Sequence, residues 1–258
     1  MLHVNYHTHT YRCHHADGTE IAYIENAIQH GMTTLGFSDH APQMFKGDYY
    51  SHFRMEREVT EEYTKTISDL RETYKDRIQI KIGYEMEYYP AIFQDTLSFI
   101  RQFPCDYLIL GQHFIDNEMD THRYSGAQTT DESYLADYVD QVNEAMQTGL
   151  FTYVAHPDLQ NFTGEKSIYV RQYSRLIRCA IDTHTPLEIN LLGTGDNRHY
   201  PNPRFWEIVG EMGADVVIGC DAHTPAAIVD PTAYQKALDL VDAYHLHVIE
   251  PTLRPVHV

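Results

Sequence analysis

An α/β barrel is the fold the sequence predicts, and three observations predict it. Short apolar segments alternate with longer amphipathic ones along the whole 258-residue chain. The short segments are apolar and rich in β-branched residues, as parallel strands covered on both faces require. Seven or eight such units occur, which favours a barrel over an open doubly wound sheet. No linker, low-complexity tract or short-period repeat interrupts the series, so residues 1–258 read as one domain.

The elements follow in order. Leu2 to Tyr6 reads as the first strand. TEIAYIENAIQHG then sets Ile21, Ile24 and Ile28 on one helical face and ends at Gly31, a C-cap. TTLGFSDH is the second strand. Val59, Tyr63, Ile67, Leu70 and Tyr74, spaced by three and four, mark a long helix. IQIKIGYEMEY is the third strand, with a shorter helix running to about Phe103. CDYLILGQHF is the fourth strand, and Thr129 to Glu132 has the form of a capping box for a helix ending at Gly149. FTYVAHPD is the fifth strand, followed by a helix carrying Tyr169, Tyr173, Leu176, Ile177 and Ala180. PLEINLLG and ADVVIGCDAH are the sixth and seventh, with a helix over Phe205 to Met212 between them. A last helix from about Thr232 to Tyr244 leads to a possible eighth strand at HVIE.

Composition narrows the function. With 37 carboxylates against 19 Lys and Arg, the formal net charge is −18, and no basic run exists to track a phosphate backbone. That argues against stable nucleic-acid binding. An anionic substrate therefore needs its positive charge from elsewhere, and bound metal ions would supply it. Cys13, Cys105, Cys179 and Cys220 are widely spaced with no CxxC pair, which fits a reducing cytoplasm. The start, MLHVNYHTHT, has neither the charged nor the apolar region of a signal peptide. No apolar run approaches the roughly 18 residues that span a bilayer.

The segment YHTHTYRCHHADG gathers His7, His9, His14 and His15 in nine positions, with Asp17 just beyond. On an extended chain, the i, i+2 spacing of His7 and His9 turns both rings to one side. The later strands end in the same manner: Asp39 and His40, Glu85 and Glu87, His113, His156, Glu188 and Asn190, Asp221 and His223. In a barrel, those C-terminal ends converge on the face where active sites are built. A lone histidine at a strand end is usually a solvated or hydrogen-bonded residue, but seven strands ending alike point to a metal site. His3, His30, His52, His122, His184, His245, His247 and His257 do not share the placement and read as surface or packing residues. His14 and His199 stay unassigned. Cys13 suits either a thiolate ligand or a small buried hydrophobe.

HTHTYRCHH, SDH, GYEMEY, GQH, AHPD and GCDAH, in that order from His7 to His223, resemble the polymerase and histidinol phosphatase (PHP) family, and within it the histidinol-phosphatase branch. The resemblance implies a distorted, TIM-like barrel of seven parallel strands, with two to three divalent ions (zinc, manganese or iron) at the strands' C-terminal ends. By position, it implies that His7, His9, Glu85 and Asp221 hold one ion. Glu85 bridges to a second, shared with His113 and His156, and His15, His40 and His223 hold a third. His15 takes the place of the family's third histidine rather than His14, with Asp17 in reserve. Two ions about 3.5–4 Å apart lower the pKa of a bridging water and hold it for in-line attack on phosphorus. The imidazole and carboxylate donors suit zinc, iron and manganese alike. Asp39 either orients His40 from behind or caps the following turn.

Arginine suits bidentate contact with phosphate. The resemblance points to Arg198, in EINLLGTGDNRHYP after the sixth strand, with Arg54 and Arg12 as weaker choices. HAPQMFKGDYYSHFRM, with its four aromatics, reads as a loop covering the substrate. The expected activity is hydrolysis of a small phosphate monoester, foremost L-histidinol phosphate to L-histidinol and phosphate. The alternatives are a phosphoesterase for another small phosphate or for nucleotide ends, and a metal-binding scaffold without catalysis. All nine donor positions are filled, which favours the enzyme.

Overall fold

The computed structural model describes residues 2–256. His257 lies outside them. Its strands are β1 (Val4–Asn5), β2 (Thr34–His40), β3 (Gln79–Met86), β4 (Tyr107–Leu110), β5 (Phe114–Ile115), β6 (Arg123–Tyr124), β7 (Phe151–Val154), β8 (Leu187–Asn190), β9 (Asp215–Gly219) and β10 (His247–Val248). Its helices are α1 (Glu20–Gln29), α2 (Thr60–Tyr74), α3 (Phe93–Ile100), α4 (Glu132–Gln147), α5 (Lys166–Asp182), α6 (Leu191–Gly195), α7 (Pro203–Met212) and α8 (Pro231–Tyr244). Eight strands form one parallel sheet in the order β1-β2-β3-β4-β7-β8-β9-β10.

The sheet curls until its ends meet. Just past β1, Thr8 bridges in parallel to Ala222, just past β9. The His9 amide donates to the Ala222 carbonyl at 3.0 Å, and the Ala222 amide to that of His7 at 3.2 Å. Seven strands thus close a ring at their C-terminal ends, as expected for the seven-stranded barrel. The eighth strand is real and serves another purpose. β10 pairs with the opposite end of β9, at Asp215 and Val216, where β1 does not reach.

Side-chain parity builds the interior. Leu108 and Leu110 of β4 point outward into the main core between sheet and helices. Tyr107 and Ile109 point inward, where they pack with Tyr153, Ala155 and Val217. Glycines make room for these rings, since a Cβ at Gly36 or Gly83 would fall inside 3.0 Å of Tyr107. One step further along each strand, the same inward parity carries the polar residues of the site.

Local chemistry differs from expectation in three places. The N-cap of α4 is Asp131, whose carboxylate accepts from the Ser133 amide at 2.9 Å, and not Thr129. The Thr129 hydroxyl instead accepts from the Asp131 amide. A two-stranded hairpin, β5–β6, stands apart from the barrel between β4 and α4. Asn190 caps the short helix α6, accepting from Gly193. All four cysteines are free and buried, and no helix among the described residues is long and apolar enough to cross a membrane.

Candidate metal centre

Glu85 stands at the centre of the polar face. It lies near the end of β3, pointing inward, and five imidazoles approach its two oxygens. His156 Nε2 is 2.8 Å from Oε1 and His113 Nε2 3.6 Å. His40 Nδ1 is 3.0 Å from Oε2, His9 Nε2 3.4 Å and His7 Nε2 3.5 Å. Asp221 completes the cluster, with Oδ1 3.2 Å from His9 Nε2, 3.4 Å from His7 Nε2 and 3.4 Å from His223 Nδ1. Donor atoms of His7, His9 and Glu85 lie within 4.8 Å of one another, as do those of His15, His40 and His223. His15 Nε2 is 3.0 Å from His223 Nε2. His14 turns away, with positive φ, toward the Tyr50 hydroxyl at 3.3 Å. Asp17 meets the site only through its amide, which donates to the His223 carbonyl.

So many ionisable groups in one dry space shift one another. Burial alone would raise the Glu85 pKa, but His40, His113 and His7 hold it well below the ordinary carboxylate range. Burial, helped by the positive neighbours His9 and His113, drives His40 down to about 3 against the pull of Glu85. Burial, with His9, takes His223 to about 4. His7 goes the other way: Glu188, Asp221 and Glu85 outweigh its burial and lift it to about 10. His40 and His223 are therefore neutral, the form in which imidazole offers a lone pair.

A second set of carboxylates holds the rings from behind. Glu188 Oε1 accepts from His7 Nδ1 at 2.8 Å, and its Oε2 from the His156 amide at 3.1 Å. Asn190 donates to Glu188 at 2.9 Å and to Asp221 at 3.1 Å. Glu87 Oε1 lies 2.9 Å from His113 Nδ1. The contacts to His7 and His113 fix which nitrogen of each of these two rings faces inward. The sequence shows Glu87 and Glu188 at strand ends but gives them no role, because nothing in a linear pattern says which imidazole a carboxylate will face.

Two expectations are corrected. Asp39 does not orient the His40 ring. Its Oδ1 lies 3.6 Å from His9 Nδ1 and accepts from the His40 amide, while Oδ2 accepts from the amide and hydroxyl of Thr10. Arg54 does not face substrate. It is 3% exposed and held by Glu87, at 2.8 and 3.0 Å, and by Glu118. Two carboxylates already saturate its guanidinium, and its effect on the site passes through Glu87 to His113. Arg12 is likewise engaged, by Glu20 and Glu62.

A cavity of about 450 Å³ opens over the cluster, and its lining includes Asp196, Arg198 and Tyr200. Arg198 donates to Asp196 at 3.0 Å and to the Tyr200 hydroxyl at 3.0 Å. His199 accepts no such place. Its Nε2 contacts the Leu159 carbonyl at 2.7 Å. Cys13 is buried beside His9 and His223, close enough to share a donor group with them.

The sequence pattern of the PHP domain family matches residues 5–191. The chain belongs to the PHP domain family. Arg198, Asp221 and His223 lie beyond the matched residues of this PHP domain, and the strand order brings them back beside His7 and His9. Curated relatives of the PHP domain include a probable histidinol-phosphatase of Deinococcus radiodurans, 26% identical with 86% of each chain covered. The histidinol-phosphatase of Lactococcus lactis is 23% identical, covering 96% of this chain and 93% of the relative. The fold matches the crystal structure of the Lactococcus lactis histidinol phosphate phosphatase in complex with zinc, L-histidinol and phosphate. That match has a TM-score of 0.75 at 22% identity and covers 98% and 97% of the two chains. A putative histidinol phosphatase from Listeria monocytogenes matches with a TM-score of 0.72 at 17% identity, over 90% and 99%.

Proposed function

We propose that this protein is a metal-dependent phosphatase that hydrolyses L-histidinol phosphate to L-histidinol and phosphate. The observation that carries the reading is a set of buried, unpartnered donor atoms converging on one point. His7 Nε2, His9 Nε2, His40 Nδ1 and Glu85 Oε2 are buried with no hydrogen-bond partner. Unpaired polar atoms at this depth are costly and rare, and their chemistry and spacing fit divalent cations. His7, His9, Glu85 and Asp221 would hold one ion, Glu85, His113 and His156 a second, and His15, His40 and His223 a third. Ions there would acidify a water and neutralise charge on the phosphoryl oxygens.

The chain's own residues supply the rest. Glu188 and Glu87 accept from Nδ1 of His7 and His113, so both rings turn Nε2 to the centre, where an ion would take the place of the proton that the surrounding carboxylates hold on His7. Arg198 holds the phosphate from the cavity wall, exchanging Asp196 for phosphate oxygens, and the Tyr200 hydroxyl keeps the guanidinium in place. The names of the curated relatives support histidinol phosphate as substrate, and the zinc of the Lactococcus structure makes zinc the first ion to assay.

The test pairs elemental analysis of the purified protein with phosphate release from L-histidinol phosphate. Bound divalent metal together with rapid release is the expected result. Metal without release would send the substrate search to other phosphate esters. No metal as purified, and none regained from zinc or manganese, would remove the reading. Arg198→Ala is expected to lower kcat/KM by roughly 10²-fold, as loss of a charge-assisted contact predicts, with metal content unchanged. Unaltered kinetics would retire Arg198 as the phosphate residue.

A further inference from the structure

Part of the cavity wall is aromatic. Phe53, Phe114 and Tyr124 all line the cavity and form an unbroken row. Phe53 begins it against the metal-donor rings, 5.3 Å from His40 and 5.9 Å from His113, edge to face. Phe114 is nearly parallel to Phe53, at 5.8 Å and 28°. Tyr124 follows at 5.4 Å and ends the row at the solvent, 42% exposed.

The row is held in place before any ligand arrives. The Arg54 guanidinium, locked by its carboxylates, lies over the Phe53 ring at 4.4 Å. Phe114 and Tyr124 are direct cross-strand partners in the β5–β6 hairpin, so they present one shared surface. Arg123, next in that hairpin, donates to Asp137 at 2.7 Å and stacks over Tyr134 at 4.2 Å, tying the hairpin to α4. A hairpin outside the barrel sheet thus delivers two pinned, part-exposed rings to a site otherwise made of imidazole and carboxylate. Large apolar rings left at a polar mouth are informative, because burial is their usual fate.

We infer that Phe53, Phe114 and Tyr124 form the leaving-group subsite, and that it selects phosphate esters whose leaving group carries a flat ring. The inference rests on the phosphatase reading above. The row starts at His40 and His113 and leads outward, so it offers a path for the leaving group of an ester whose phosphate lies between the imidazole cluster and Arg198. Ring faces in this arrangement attract a flat π system, and attract it more strongly if that ring is positively charged. The cavity volume of about 450 Å³ suits a small ester.

The test compares L-histidinol phosphate with glycerol 2-phosphate, which has no ring, in the metal-loaded wild type and in Tyr124→Leu and Phe114→Leu. Thermal melting first establishes that each variant is folded, and Tyr124, at the surface, serves if Phe114→Leu is not. For histidinol phosphate, kcat/KM is expected to fall roughly five- to tenfold per ring lost, through KM. For glycerol 2-phosphate it stays within about twofold, as does inhibition by inorganic phosphate. Equal losses for both esters, or no loss for either, would overturn the subsite while leaving the phosphatase intact. So would a wild type that prefers glycerol 2-phosphate. A wild type that hydrolyses neither would overturn the phosphatase reading and the subsite with it.

Discussion

Glu85→Gln is expected to strip the protein of most of its metal and to lower phosphate release by roughly 10³-fold or more, beyond the effect of losing a single fixed donor. The carboxamide keeps the volume of the side chain but removes its charge and replaces one acceptor oxygen with an NH2 group. Five imidazole nitrogens lie within 3.6 Å of the two Glu85 oxygens. Either orientation of the amide therefore turns N–H bonds toward nitrogens that must offer lone pairs inward. Glu85 is also the acid that the surrounding imidazoles keep ionised, so the variant leaves an excess of imidazole with no central anion. Elemental analysis and phosphate release on the same sample check this. A variant with full metal content and full turnover would end the assignment of Glu85 as the bridging residue.

Gly111→Ala is expected to inactivate almost as severely, though Gly111 offers no functional group. A Cβ there would fall inside 3.0 Å of three atoms of the Glu85 side chain, Oε1 among them. Gly111 is absent from the positive-φ residues, so an alanine meets no backbone penalty and the clash is purely steric. Glu85 must move or β4 must shift. Overpacking of this type costs about 1–3 kcal/mol of stability, and a displaced bridging carboxylate should cost at least 10²-fold in kcat/KM. Gly219 stands in the same relation to Glu188. Melting temperature, metal content and kinetics together decide it. A Gly111→Ala protein with wild-type turnover would mean that Glu85 is free to relocate and is not fixed by its cradle.

Much of this site was legible in the sequence, for a physical reason. Parallel strands with inward parity must deliver their terminal residues to one face, so HTH, SDH, GYE, GQH, AHP and GCD predicted a shared site before any coordinate was known. The glycines of GQH and GCD belong to the same logic, since they are small where a carboxylate from the neighbouring strand must fit. What escaped is long-range and two-sided. Asp39 faces His9 rather than its neighbour His40, and Arg54 found Glu87 and Glu118 before it could find a phosphate. The β5–β6 hairpin is only two residues on each side, too short to show a period. The cap of α4 is Asp131 because the helix begins at Glu132, directly after it, and Thr129 lies too far upstream to reach the first turn.

The bridge between Thr8 and Ala222 gives bound metal a mechanical role as well. His7 and His9 follow the first strand of the ring and Asp221 its last, more than two hundred residues further along the chain. An ion gripped by both ends would act as a clasp across the seam, stabilising the folded chain by its binding free energy, because the site exists only where the two ends meet. Removing the metal would therefore loosen the barrel at its seam first, where the two-residue β1 is joined to the end of β9 by one isolated bridge and by the Cys220 amide donating to Asn5.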